Sequence, residues 1–185
     1  TDAKLCLVVR RESDGMHRYV HISTGNYNPS SAKIYTDYGL LTSNPGICSD
    51  VSDLFNVMTG YSTQTKYNAL VVSPHSTRNT ILAHIDREIE CCRATGKGEI
   101  IFKCNQLVDR LIIRRLYEAS RVGVKISLQV RGICCLRPGV KGVSENITVT
   151  SIVGRFLEHA RAYWFAHDGE PVVFIGSADL SLIHI

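Results

Sequence analysis

The sequence predicts an α/β protein of two similar lobes, each a mixed sheet flanked by helices, with the first lobe incomplete. Three observations predict it. From Asn68 the pattern alternates strand, helix, strand, helix, strand; a hairpin pattern lies near each end of the chain; and each hairpin carries the same kind of short polar constellation. The alternation calls for parallel strands joined by crossover helices. The paired hairpins call for two related halves around a shared site. The boundary falls near Tyr61 to Tyr67, giving lobes of residues 1–62 and 63–185.

Each element has its own signal. Lys4 to Val9 reads as a strand, Glu12-Ser13-Asp14-Gly15 as a turn and Arg18 to Ile22 as the returning strand. Gly25-Asn26-Tyr27-Asn28-Pro29 is a loop dense in turn formers. Ser49-Asp50-Val51-Ser52-Asp53-Leu54-Phe55 predicts a capped helix start, with acids where the dipole favours them, and Gly60 ends it. Ala69 to Val72 is a short apolar run. Residues 76–95 place Ile81, Ile85, Ile89 and Cys92 on one helical stripe, and Glu99 to Phe102 is the next strand. Val108, Leu111, Ile112, Leu116 and Ala119 give a second amphipathic helix before Gly123. Arg110, Arg114, Arg115 and Arg121 form its wet face. Lys125 to Val130 is a third strand ending at Arg131-Gly132, and Arg161 to Phe165, the turn Ala166 to Glu170 and Pro171 to Ile175 make the second hairpin. In such sheets functional groups gather at the C-terminal strand ends, where Asn105 and Arg131 both sit.

Composition bounds the class. Of 185 residues, 44% are hydrophobic, enough for a real core, and a net charge of +4 with scattered acids does not call for nucleic acid. No apolar run is long enough for a membrane span, and no signal peptide is recognisable. The expectation is a soluble, intracellular protein. Seven cysteines, odd in number, with two adjacent pairs and no C-x-x-C spacing, fit neither a disulfide framework nor a zinc knuckle. They read as free thiols in a reducing compartment. The sequon Asn146-Ile147-Thr148 reads as chance.

The doubled constellation carries the chemistry. Asp2-Ala3-Lys4 precedes Ser23-Thr24-Gly25-Asn26, and His159-Ala160-Arg161 precedes Gly176-Ser177-Ala178-Asp179. In a strand, residues two apart share a face, so each half offers a short polar group beside a cation, Lys4 in one and Arg161 in the other. A small-residue turn lets backbone N–H groups approach an anion, and a histidine can take a phosphoryl group or a proton. Arg131 adds a fixed fork of donors suited to phosphate oxygens. The rival reading of His159 is a hydrogen-bonded structural histidine, and of Arg131 a structural ion pair. His17, His21, His75, His84 and His167 read as structural or exposed, with His21 next to the site loop. No metal-ligand spacing is present.

Four longer strings carry a resemblance: Tyr19 to Asn28 (YVHISTGNYN), Ile34 to Thr42 (IYTDYGLLT), Gln129 to Cys134 (QVRGIC) and Arg155 to Arg161 (RFLEHAR). With them the chain strongly resembles the bacterial polyphosphate kinase family over almost its whole length. The resemblance implies two phospholipase D-like domains, the end of the first and most of the second, in a fragment of a longer enzyme. It implies reversible transfer of the terminal phosphate of ATP to polyphosphate through a phosphohistidine. ATP, ADP and polyphosphate are then the partners, with a homo-oligomer in the full-length enzyme and no nucleic acid. A cytoplasmic location follows, compatible with peripheral attachment to a membrane. Carried over by position, Tyr35 contacts the nucleotide, Arg131 binds its phosphates and His159 approaches the transferred group. Magnesium assists, its arginine-linked site falling upstream of residue 1.

The chain departs from the pattern where it matters most. Asp2 stands at the position of the phosphorylated histidine. A carboxylate cannot form the N–P bond, although it can in principle form an acyl phosphate, so the expectation is an inactive fragment. Two other classes stay open: a silent polyanion- or nucleotide-binding module, and a phosphodiesterase of the phospholipase D type. The second needs two His-x-Lys motifs, and Asp2 and Arg161 both break it. A Walker loop and a protein-kinase catalytic loop are absent from the sequence.

Overall fold

In the computed structural model, which describes residues 3–64, 66–73 and 76–180, the first strands are β1 (Leu5–Glu12) and β2 (Gly15–Ser23). They pair antiparallel from Leu5↔Ile22 to Glu12↔Gly15, longer than the two runs predicted. Asn28 caps the short helix α1 (Pro29–Ala32), its side chain accepting from the N–H groups of Ser30 and Ser31. Then come β3 (Tyr35–Thr36) and β4 (Gly39–Thr42), the latter completing the antiparallel sheet in the order β1-β2-β4. Helix α2 (Pro45–Met58) starts four residues before the predicted Ser49. The cap is Asn44, whose side chain accepts from Gly46 and Ile47 N–H, and Pro45 has the fixed φ that suits the first turn. Asp50 is therefore not a first-turn acid but a buried mid-helix one.

That carboxylate explains a second correction. Ala69 to Val72 is not a strand; the N–H groups of Ala69 and Leu70 donate to Asp50 Oδ2 at 2.5 and 3.0 Å instead of to a ladder. Leu70 packs with Val20, Cys48 and Val51 in a small core. Helix α3 (Thr77–Thr95) follows and buries the predicted stripe of Ile81, Ile85, Ile89 and Cys92. The strand β5 (Glu99–Cys104), the helix α4 (Arg110–Val122) and the strand β6 (Lys125–Val130) realise the predicted alternation. Asp109 caps α4, and Gly123 ends it with φ of 106°, which glycine adopts without strain. Leu111, expected on the core face of α4, is 51% exposed; Ile112, Ile113, Leu116 and Ala119 fill that face. Arg115 pairs with Asp86 and Glu118 on the outside, as expected of a wet face.

Three short strands were not foreseen or lie slightly shifted: β7 (Ile147–Thr150), β8 (Leu157–Glu158) and β9 (Ala162–Phe165). A 3-10 turn at His167–Gly169 leads to β10 (Val172–Ile175). The second sheet runs β10-β9-β5-β6-β7, parallel through β5, β6 and β7 and antiparallel at β9 and β10. It is a mixed sheet, as expected. Phe102, Phe165, Ile100, Ile126 and Leu128 face helices α3 and α4 across the main core. Full burial of each such side chain contributes roughly 1.5–3 kcal/mol. Asn146 Nδ2 donates to the Ser120 carbonyl at 2.8 Å, which occupies the sequon asparagine. All seven cysteines are free thiols. No described helix is long and apolar enough to cross a membrane.

Candidate functional site

The topology gathers one end of the sheet. Strands β5 and β6 run parallel and finish at Cys104 and Val130; β9 runs the other way and starts at Ala162, opposite Lys103. Asn105, Arg131 and Arg161 are therefore brought to the same edge. Strand β10 ends at Ile175, opposite Ala162, and the chain returns there through Gly176 to Asp179. The other lobe reaches this edge through β3, which pairs parallel with β8 at Tyr35↔Leu157 and Thr36↔Glu158. Lys103 and Glu158 form an ion pair beside that seam, and its hydrogen bond holds the Glu158 carboxyl below the usual range.

At the seam the two lobes share one imidazole. His159 Nδ1–H donates to Asp37 Oδ1 at 2.8 Å, because a carboxylate can only accept. Arg161 Nη1 donates to His159 Nε2 at 3.2 Å and to the His159 carbonyl at 2.9 Å. The ring is thus a neutral Nδ1–H tautomer with its lone pair at Nε2. Asp37 Oδ1 also accepts from the buried Thr24 hydroxyl at 2.7 Å. A methyl group on Gly25 would collide with the Asp37 carboxylate, so the loop passes directly under it. Tyr35 packs its ring against His159, centroids 4.9 Å apart and inclined by 43°.

Cations line the second lobe. Arg161, 8% exposed, donates from Nε and Nη2 to Asp179 Oδ2 at 3.2 and 3.1 Å. Asp179 Oδ1 accepts from the N–H groups of Asn105 and Gln106. The backbone N–H of Arg131 donates to the Cys104 carbonyl, placing it beside Asn105, and its Nη1 is buried with no partner among the described residues. A buried donor left unmade costs roughly 1–3 kcal/mol, so this atom suits an acceptor brought by a ligand. Lys4 is buried just ahead of β1, its carbonyl accepting from Ser23 N–H at 2.9 Å. Asp2 lies outside the described residues. Neighbouring Cys104 is pushed up to about 12 by burial, and burial raises Tyr163 well above its ordinary range, so neither supplies an anion here.

Of the residues singled out in the sequence, the structure joins Tyr35, His159 and Arg161 directly and sets Arg131 at the same sheet end. Asp37 was missed, although it lies inside the Ile34 to Thr42 string. Nothing local marks it, since its partner is 122 positions away. The seam carboxylates do not form a magnesium cage: Asp37, Asp179 and Glu158 are each taken by the donors just described. Among the described residues the three ligand groups that converge are Glu12, Asp14 and His17, within 4.8 Å of one another at the β1–β2 turn. Among the described residues magnesium thus finds no fitted site at the seam.

Known proteins share this sequence and fold. The family profile described as polyphosphate kinase C-terminal domain 1 matches residues 1–64, and that described as polyphosphate kinase C-terminal domain 2 matches residues 70–182. The chain belongs to the polyphosphate kinase family. The polyphosphate kinase of Prosthecochloris aestuarii is 57% identical over 180 residues, 97% of this chain and 25% of the relative. Polyphosphate kinase 1 of Chlorobaculum tepidum is 56% identical over 180 residues, again 97% of this chain and 26% of the relative. The crystal structure of polyphosphate kinase from Porphyromonas gingivalis superposes with a TM-score of 0.90 at 38% identity, covering 98% of this chain and 28% of that one. The chain spans about a quarter of the length of the curated polyphosphate kinases it matches.

Proposed function

We propose that this chain forms the seam of a phosphoryl-transfer site at which the terminal phosphate of ATP passes reversibly to polyphosphate. The observation that carries the reading is the neutral His159, held between Asp37 of one lobe and Arg161 of the other, at the sheet end where Nη1 of Arg131 is buried with no partner among the described residues. Phosphoryl transfer is mostly positioning and charge neutralisation. In this reading Arg131 and Arg161 hold phosphate oxygens, Tyr35 contacts the nucleotide, Lys4 balances charge in the first half-site, and His159 moves a proton at Nε2. Asp37 fixes the tautomer and steadies the imidazolium when Nε2 is protonated. The nucleophile position is that of Asp2, where the family resemblance places a phosphohistidine. The chain as it stands therefore binds phosphate groups without taking one covalently.

A chimera tests this. Let the chain replace the matching quarter of the Chlorobaculum tepidum relative, with Asp2 kept or changed by Asp2→His, and supply γ-labelled ATP with Mg²⁺. The expected result is acid-labile, base-stable protein label and polyphosphate only in the Asp2→His form. No label in either form, with tripolyphosphate still bound, would replace the kinase reading by a silent polyanion-binding module.

A further inference from the structure

Arg161 is held from two sides. Asp179 takes Nε and Nη2 on one side; on the other lies the amide of Asn105, the first residue past β5 and only 3% exposed. Its neighbours decide which amide atom faces which way. Oδ1 accepts from Arg161 Nε at 3.0 Å and Nη2 at 2.5 Å, and Nδ2 donates to the Glu158 carbonyl at 3.1 Å. The backbone is committed too. Asn105 N–H donates to Asp179 Oδ1 at 2.8 Å, and its carbonyl accepts from Gly132 N–H at 2.9 Å. One buried residue thus ties together Glu158 just before His159, Arg161, Asp179 and the backbone just after Arg131.

We propose that Asn105 is the positioning residue of this site: its amide oxygen sets the plane of the Arg161 fork, and so keeps Nη1 on His159 Nε2. A guanidinium is planar with its donors in fixed directions. On its Nε–Nη2 edge Asp179 offers the single oxygen Oδ2, so without a further acceptor there only the Nη1 bond to the His159 carbonyl opposes a pivot of the fork about that atom. A second acceptor on the same edge stops the pivot and fixes where Nη1 points. Nη1 in turn keeps the lone pair of His159 at Nε2, which leaves the ring proton on Nδ1, facing Asp37. The catalytic consequence rests on the phosphoryl-transfer reading above; the positional claim rests on these hydrogen bonds alone.

Two substitutions separate positioning from mere support of the fold. Asn105→Leu has similar size and no acceptor. Asn105→Asp keeps the acceptor for Arg161 but turns a second oxygen toward the Glu158 carbonyl and buries a charge. The measurement is ¹⁵N NMR of the His159 ring at pH 8 in the 185-residue chain, with a tripolyphosphate titration and a thermal melt alongside. Expected are a single Nδ1–H tautomer in the unaltered chain and in Asn105→Asp, and a tautomer mixture in Asn105→Leu. Tripolyphosphate binding should fall about tenfold in Asn105→Leu, the scale of one lost charge-assisted hydrogen bond. A purely structural role reverses the order, with leucine tolerated and aspartate not. That reversal, or an unchanged tautomer in Asn105→Leu, overturns the proposal. If the unaltered chain does not bind tripolyphosphate, the phosphate-site reading fails, and the ring signals still decide the role of Asn105.

Discussion

Arg131 shows what a single residue at this seam is asked to do. Its backbone is tied to β5, its guanidinium is partly covered, and Nη1 has no partner among the described residues. A side chain kept for stability would not leave a buried donor unmade. Arg131→Ala removes that unsatisfied group, so it should not lower the thermal midpoint of the chain. It should weaken tripolyphosphate binding at least about tenfold, the cost of one charge-assisted contact. In the Asp2→His chimera it should lower kcat by about 10²–10³, the effect of deleting one preorganised donor. Calorimetric titration and a steady-state assay give both numbers; normal turnover in the variant would refute the phosphate role.

At the scale of elements, the β9–β10 hairpin has the site at one end and a histidine pair, one ring buried and one half-buried, at the other. His84 of α3 and His167 of the 3-10 turn share one hydrogen bond, Nδ1 to Nε2 at 3.0 Å, with His84 also against Phe165 and Phe174. Glu88 Oε1 accepts the His167 N–H at 2.7 Å, while His167 and Asp168 hold left-handed φ of 44° and 53°. Burial lowers the pKa of both rings; the charge of Arg87 adds to this at each, and Glu88 opposes it at His84. The folded pair therefore stays neutral where an unfolded histidine, near 6.5, takes a proton. Stability is complete above about pH 6.5 and is lost as pH falls below it toward the lowered folded values, because the unfolded chain binds more protons there. Thermal melts from pH 7.5 to 5.5 should show the midpoint falling. The double substitution His84→Asn with His167→Gln, which keeps polar groups but does not titrate, should flatten that fall; an equal slope would assign it to other histidines.

The same elements show what could be read in advance. Helices α3 and α4 and strands β5 and β6 were legible because their apolar spacing repeats over whole turns, and because Gly123 and Arg131-Gly132 punctuate them. The start of α2 was misread since a serine followed by acids looks like a cap, while the working cap is Asn44 with Pro45 behind it. Ala69 to Val72 misled because an apolar run does not reveal where its N–H groups go; a carboxylate 19 positions earlier decides. His159 and Arg161 were legible as a polar pair two residues apart, although they lie between β8 and β9 and not within a strand. Asp37 and the side chain of Asn105 were not, because each is defined by partners in distant parts of the chain.

Among the described residues two tethers join the lobes, and they differ in kind. The seam is polar and carries the chemistry: the β3–β8 pairing, Lys103 with Glu158, and Asp37 with His159. The second tether is the strap at Ala69 and Leu70, fixed to α2 by Asp50, which is 1% exposed. Asp50→Ala leaves two N–H groups without their charged acceptor, which should cost about 2–4 kcal/mol, the combined scale of two such losses. Urea denaturation, followed by far-ultraviolet circular dichroism and by the fluorescence of Trp164 in β9, measures it. If the seam couples the lobes, both probes should move together to lower urea with the slope kept, because the loss is shared by the entire fold. The His159 ring should meanwhile keep its tautomer in the folded variant, since no partner of that ring has changed. Two separated transitions would instead mean that the strap, not the seam, makes the lobes one cooperative unit, and that a shared site depends on a linker far from its chemistry.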